Sequence, residues 1–252
     1  MSTVGEPGGI EALYPFLASA PADGEAVVAD LCASTRRKAG EIVALRRSLV
    51  ALHGERLVAC ARATAAAIEA GGRLFTFGNG GSSTDAQAVA QLFAAPPEAA
   101  HATATPPEAA HATAAPPQPA GTAAAPPRPA RAVAAVALAQ DVALVTALSN
   151  DVGYELVFAR QLAALGRRGD VAVGLSTSGG SRNVVDAMAE ASRRGMVTVG
   201  MAGYDGGAMA QEGRVAYLFV VPSASVHRIQ EAQITLCHVL WELTQRVLAG
   251  EM

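Results

Sequence analysis

Aromatic residues are scarce, at 4% of a 252-residue chain, and charged residues make up only 16%, below the usual quarter. Much of the 51% apolar content is alanine, so that figure overstates the material available for a core. Positive charge is not in excess, and the formal net charge is −3. Nothing electrostatic therefore points to nucleic acid or an anionic membrane as a partner. No run of about 18 residues is uniformly apolar, which argues against a membrane-spanning helix. The opening "MSTVGEPGGIEALYPFL" lacks the basic start and apolar run of a secretory signal, so a cytoplasmic chain is expected. Cys32, Cys60 and Cys237 show neither C-x-x-C nor zinc-finger spacing, and are expected to be buried free thiols in a reducing compartment.

What is present divides the chain into zones. Residues 1–24 are rich in proline and glycine and read as a flexible leader, with a short helix near Ile10–Ala18. From 25 to 72 no proline occurs and apolar residues recur at helical spacing. Ile42, Leu45, Leu49, Leu52 and Leu57 fall near one face, predicting two or three amphipathic helices that end at Gly71-Gly72 and pack on the core or a neighbouring subunit. Beyond residue 73 the period changes. Short apolar strands in "RLFTFG", "AVAAVALA", "DVAVGLS", "VTVGMAG" and "VAYLFVVP" alternate with helical stretches, the last being "RIQEAQITLCHVLWELTQRVL". Strands alternating with helices predict an α/β domain over 73–252, its mostly parallel sheet covered on both faces.

Residues 94–131 interrupt that domain. Read in tens from Pro96, they run PPEAAHATAT, PPEAAHATAA, PPQPAGTAAA and PPRPARAVAA, a decaying repeat too rich in proline and alanine to form a core. His101 and His111 hold equivalent repeat positions, which copying of a repeat explains without a metal. Glu98, His101, Glu108 and His111 nonetheless follow the first sheet-flanking helix closely enough to be weighed as ligands supplied in cis. A proline-broken segment preorganises ligands badly.

Two loops carry candidate chemistry. Gly78-Asn79-Gly80-Gly81-Ser82-Ser83-Thr84 and Ser176-Thr177-Ser178-Gly179-Gly180-Ser181 each follow a strand and precede a helix. Glycines let backbone approach an anion, helix-start N–H groups point at it, and hydroxyls donate without adding charge. A pair at the carboxyl ends of parallel strands favours a phosphate monoester over two ordinary capped turns. Neither loop has the G-x-G-x-x-G or G-x-x-x-x-G-K-[ST] pattern, which excludes the common nucleotide cradles.

"FGNGGSSTDAQ", "SNDVGYE", "GLSTSGGSRNVVDAM", "GYDGGAMA" and "RIQEAQITLCHVLWEL" resemble, in order and spacing, the bacterial phosphoheptose isomerases of the sugar isomerase (SIS) superfamily. The resemblance covers roughly residues 30–250. It implies a three-layer αβα sandwich with a five-stranded sheet (SIS, flavodoxin-like), an N-terminal helical extension, and a homotetramer with ligand sites at subunit interfaces. It also implies a phosphate-binding role for Ser176, Thr177, Ser178 and Ser181, and sugar contacts from Asn79, Gly80, Gly81, Ser82, Asn150, Asp151 and Gln230. In active members a Gln and a His, matching Gln230 and His238, help hold zinc and transfer protons.

The rest of that machinery is missing. The family carries a His and, four residues on, a Glu that is both ligand and base; here those positions read Ala88 and Leu92, with Gln91 beside them. Moving a proton between neighbouring sugar carbons needs a positioned base and an acid or metal to stabilise the enediolate. His238 is the remaining candidate acid or base, no cofactor is expected, and any zinc would be held weakly. His227 reads as a solvated residue of the helix start and His53 as structural. The expectation is a sugar-phosphate binder with a degraded metal and base site, resembling sedoheptulose 7-phosphate isomerase. The alternatives are an active isomerase, or a non-catalytic oligomeric scaffold resembling the DnaA-associating replication regulator, with a protein partner or an active paralogue that supplies the missing Glu.

Overall fold

The computed structural model describes residues 24–97, 129–211 and 213–252. The expected leader helix and the four insert residues weighed as ligands lie outside these. Two compact units are distinguished, Met1–Leu45 and Arg46–Met252. Helix α1 runs Gly24–Glu69, 46 residues without interruption, so the two or three helices expected here are one. The stretch lacks proline, and its interior glycines, Gly40 and Gly54, crowd nothing; at about 1 kcal/mol each relative to alanine they weaken a helix without ending it. In the first unit Val27, Val28 and Leu31 are exposed, as is Cys32, contrary to the buried thiol expected there. In the second unit α1 buries Leu49, Leu57, Cys60, Ala61, Ala65 and Ile68. His53 is structural: it is buried, its Nε2 lies 2.8 Å from the Val220 carbonyl, and its ring meets Phe219 edge-on.

The remaining elements are β1 (Leu74–Gly78), α2 (Gly81–Ala94), β2 (Ala135–Ala137), α3 (Val142–Val152), α4 (Val157–Leu165), β3 (Val171–Ser176), α5 (Arg182–Arg193), β4 (Val197–Gly203), β5 (Tyr217–Val221) and α6 (Val226–Leu248). Short 3-10 turns occupy Tyr154–Leu156 and Gly207–Ala210. The five strands form one sheet in the order β2-β1-β3-β4-β5, and every pairing is parallel. Central strands β1 and β3 are buried along their whole length, as near-continuous apolar runs covered on both faces should be. On one face Phe75, Phe77, Phe158, Leu162, Val184 and Met188 share a cluster with α4 and α5. On the other, the Thr76 hydroxyl donates to the Ala86 carbonyl of α2 at 2.6 Å, and α6 packs beside α2. Helices on two faces of one sheet make the expected three-layer sandwich.

The chain leaves α2 and rejoins the sheet at nearly one point. Val133 N–H donates to the Phe93 carbonyl at 2.9 Å. Two residues earlier the Gln245 amide of α6 grips Arg131 twice, accepting from its N–H at 2.8 Å and donating to its carbonyl at 2.9 Å.

Candidate functional site

Strand order decides where a ligand can sit. From β1 the chain passes to β2 on one side, and from β3 to β4 on the other. The carboxyl ends of β1 and β3 therefore flank the crevice at which open α/β sheets bind ligands. Both glycine-rich loops begin there: Gly78 pairs with Leu175 across the last rung, one residue before Asn79 and Ser176.

After β3, three hydroxyls converge. Ser176 is buried and donates to Ser181 Oγ at 3.0 Å, with Ser178 Oγ at 3.5 Å. Gly180 N–H donates to Ser178 Oγ at 3.2 Å, while Ser181 stands as the N-terminal boundary residue of α5. Thr177 is half-buried between them. A second loop braces this one backbone to backbone. Met209 N–H donates to the Gly179 carbonyl at 3.0 Å, and Gly207 (φ +52°) lies so close to the Ser178 carbonyl that a Cβ there would collide with it. Hydroxyls and helix-start N–H groups set around an opening suit a phosphate.

After β1, Asn79 is tied across the crevice. Its Nδ2 donates to Asn183 Oδ1 at 2.8 Å, and its Oδ1 accepts from Asn183 Nδ2 at 2.9 Å and from the Tyr154 hydroxyl at 2.8 Å. These residues, with Glu155, Ser181 and Arg182, line a cleft of about 550 Å³, ample for a small phosphosugar. The exposed Arg182 guanidinium pairs with Asp186 at 2.7 Å, which raises its already high pKa. Tyr154, Glu155, Arg182 and Asn183 were given no role from sequence, although "SNDVGYE" and "SGGSRN" contain them.

The other expected residues are placed unequally. Gly81 faces the Gln230 amide so closely that any Cβ would strike it, which brings α6 onto the start of α2. Gly80 is exposed, but Ser82 is buried and does not line the cleft. Asn150 and Asp151 are exposed at the end of α3, with Asn150 Nδ2 donating to Asp151 Oδ1 at 3.1 Å, and neither lines the cleft. His238 and His227 are exposed on α6.

Comparison with known proteins fits this geometry. Residues 118–203 match the SIS domain model. Phosphoheptose isomerase of Sulfurimonas denitrificans is 42% identical over 99 residues, 39% of this chain and 50% of that protein. The Geobacter metallireducens protein of the same name is 49% identical over 96 residues, 38% of this chain and 50% of that one. The chain thus spans about half the length of the curated relatives it matches. Superposition reaches further. The phosphoheptose isomerase from Neisseria gonorrhoeae is 30% identical with a TM-score of 0.66, covering 84% of this chain and 97% of that one. The chain belongs to the phosphoheptose isomerase family of SIS proteins. The Francisella tularensis structure shares the fold at a TM-score of 0.67 and 24% identity, over 85% of this chain.

Within that family the zinc position is the place to test the fit. Ala88 is exposed and Leu92 half-buried on α2, and neither has a donor atom. Of the four positions that the resemblance gives to zinc, Gln230 and His238 carry a donor atom, and Gln230 is pressed against Gly81. Among the described residues no three His, Cys, Asp or Glu side chains gather as a ligand group. The residues present do not fit a zinc ion, whose sites take four ligands, or three plus water. One carboxylate does lie on this wall: Asp85 of α2, whose Oδ2 is buried without a hydrogen-bond partner among the described residues and whose pKa burial raises. Burial of Cys237, followed by the nearby Asp85 and Cys60 charges, pushes the Cys237 thiol up. Burial pushes Cys60 up to about 12, so both buried thiols are inert. No described helix is long and apolar enough to cross a membrane.

Proposed function

We propose that this chain binds a sugar phosphate, sedoheptulose 7-phosphate or a close relative, without the metal-assisted base of its family. The observation that carries the reading is the contrast at one crevice: three serine hydroxyls converge beside a helix start, while Ala88 and Leu92 bring no donor atom where the family resemblance implies a His and a Glu. The phosphate is assigned to Ser176, Thr177, Ser178 and Ser181, and the sugar to the cleft beside Asn79, Gly80, Gly81, Ser82 and Gln230. Asn150 and Asp151 join only through a conformational change or a neighbouring subunit. A homo-oligomer, a tetramer on the family pattern, is supported by α3, which buries none of its residues and exposes Val142 and Leu144.

Identity of 42–49% to proteins named phosphoheptose isomerase favours a second reading, an active isomerase with His238 as acid and base. The ketose-to-aldose step then takes one carbon-bound proton from C1 and returns it to C2 through an enediol. A hydroxyl proton passes from O1 to O2, so that the carbonyl moves from C2 to C1 with no net loss or gain of protons. Carbon-bound proton exchange in D₂O with sedoheptulose 7-phosphate, followed by NMR with and without added zinc, separates the two. Ligand-induced shifts in the protein without exchange support the binder. Exchange above background that is lost in His238→Ala replaces it with the isomerase. A third reading, an interaction scaffold with a protein partner, is favoured if neither shifts nor exchange occur.

A further inference from the structure

We infer that a pocket at the amino ends of β1 and β3, separate from the crevice, is an anion site for a phosphate group. It holds about 240 Å³ and is lined by Arg73, Arg167, Arg168 and Asp170 together with Ala70, Gly71, Gly72 and Gly169. Two glycine turns make the space. Gly71 and Gly169 hold φ of +85° and +88°, which a side chain would strain. A Cβ on Gly72 would lie 2.3 Å from the Gly169 carbonyl oxygen, so the turns meet backbone to backbone.

The acceptors on this wall are already paired. Asp170 is 3% exposed, and its carboxylate accepts from the Arg73 N–H at 2.8 Å, the Arg167 N–H at 2.9 Å and Arg73 Nη2 at 2.9 Å. The same Nη2 donates to the Leu165 carbonyl at 2.6 Å, and the Arg73 guanidinium lies 5.1 Å from the Phe75 ring centre. At the end of α1 the Ala67 carbonyl accepts from the Gly72 N–H and the Ile68 carbonyl from the Gly71 N–H. The donors are not paired. Arg167 and Arg168 are exposed, and neither guanidinium has a hydrogen-bond or ion-pair partner among the described residues. Arg168 is held along its stem, its Cγ 3.2 Å from where a Cβ on Gly195 would stand.

Three guanidinium groups thus meet one carboxylate, and the two in excess have free forks of N–H donors. Such forks match the oxygens of a phosphate. The lining narrows the ligand further. Apart from Ala70 no apolar side chain faces the pocket, so nothing there holds a base or an acyl chain. Its volume is under half that of the cleft at the other end of the strands, which suits the phosphate group alone, free or at the end of a soluble ester. A phosphate held here bridges the starts of the two strands whose far ends carry the glycine-rich loops.

Equilibrium dialysis against ³²P-labelled inorganic phosphate tests the site. The forms compared are wild type, Arg167→Ala with Arg168→Ala, a crevice variant (Ser178→Val with Ser181→Val), and all four substitutions together. The crevice variant is expected to keep one saturable site per chain, weakening as salt rises because the arginines are exposed. Removing both arginines should lower affinity at that site by roughly tenfold for each charge-assisted bond lost, while the urea midpoint stays put. Arg167→Lys with Arg168→Lys keeps the charge without the fork and should recover part of the affinity. Displacement of the label by glycerol 3-phosphate assigns the site to esters as well as the free ion, and no displacement assigns it to the free ion alone. A crevice variant that binds no phosphate, or binds it equally well with and without the arginines, overturns the inference. Neither result touches the crevice, whose own occupancy is read from the arginine variant.

Discussion

The two strand–loop–helix units that flank the crevice start from the same plan and differ in what holds them. The β3–α5 loop is built on one buried hydroxyl and on backbone pressed against backbone, with Ser176 buried and Gly179 and Gly207 in contact across the two loops. The β1–α2 unit fixes its loop through Asn79, but its helix carries Ala88, exposed, and Leu92, half-buried. Changes in the first unit strain the fold; changes on the exposed wall of the second cost it little. On the proposed function, a phosphate grip outlasts the metal chemistry beside it for this reason. The proposed grip is part of the architecture, whereas the positions that the resemblance gives to the metal lie on a helix surface.

That contrast can be broken from either side. The largest effect is expected from Ala88→His with Leu92→Glu, which restores the missing donor types opposite Gln230 and His238. Zinc affinity should rise by orders of magnitude, and stability should change by about 1 kcal/mol or less, as read by metal titration and urea unfolding. Unchanged zinc affinity would mean that α2 and α6 no longer hold the family spacing. Next comes Gly207→Val in the bracing loop. A branched side chain at φ +52° beside the Ser178 carbonyl should cost about 1–3 kcal/mol and abolish phosphate binding together with it. Stability lost without any loss of binding would show that the brace does not shape the grip.

Asp85 gives a smaller effect with a definite sign. Burial raises its pKa above the ordinary 3.8, so the folded state holds its proton more tightly than the unfolded chain does. Its favourable contribution is present below the unfolded value and is lost as pH rises through the folded one. Asp85→Asn should gain on wild type across that rise and keep the gain at neutral pH, as measured by melting temperature against pH. A gap that closes with rising pH would contradict an unpartnered buried carboxylate.

Much of the fold was legible because parallel strands announce themselves as short apolar runs between helical stretches. All five appear where the pattern places them, although "AVAAVALA" contributes only Ala135–Ala137. Helix α4 escaped notice, since Gly153 (φ +102°) and a 3-10 turn break the helical stretch after Asp141. At the site, the loop hydroxyls were legible from local composition. Tyr154 and Asn183 were not, because what makes them matter is a bond to Asn79 from the far side of the crevice, and no local pattern records a long-range partner.

The hydrogen bond between Val133 and Phe93 pins together the two points between which the chain of residues 95–132 runs. Closing a chain between fixed ends costs entropy that grows only as the logarithm of its length, roughly 0.6 kcal/mol for each doubling. Four copies of a ten-residue unit are then nearly as cheap for the fold as two, provided the pin and the double grip of Gln245 on Arg131 survive. Removing residues 106–125 should leave the melting temperature almost unmoved, whereas Gln245→Ala should lower it. Repeat number along this stretch is free to drift by duplication and loss, at a point where the sheet does not register how far the chain has travelled before it returns.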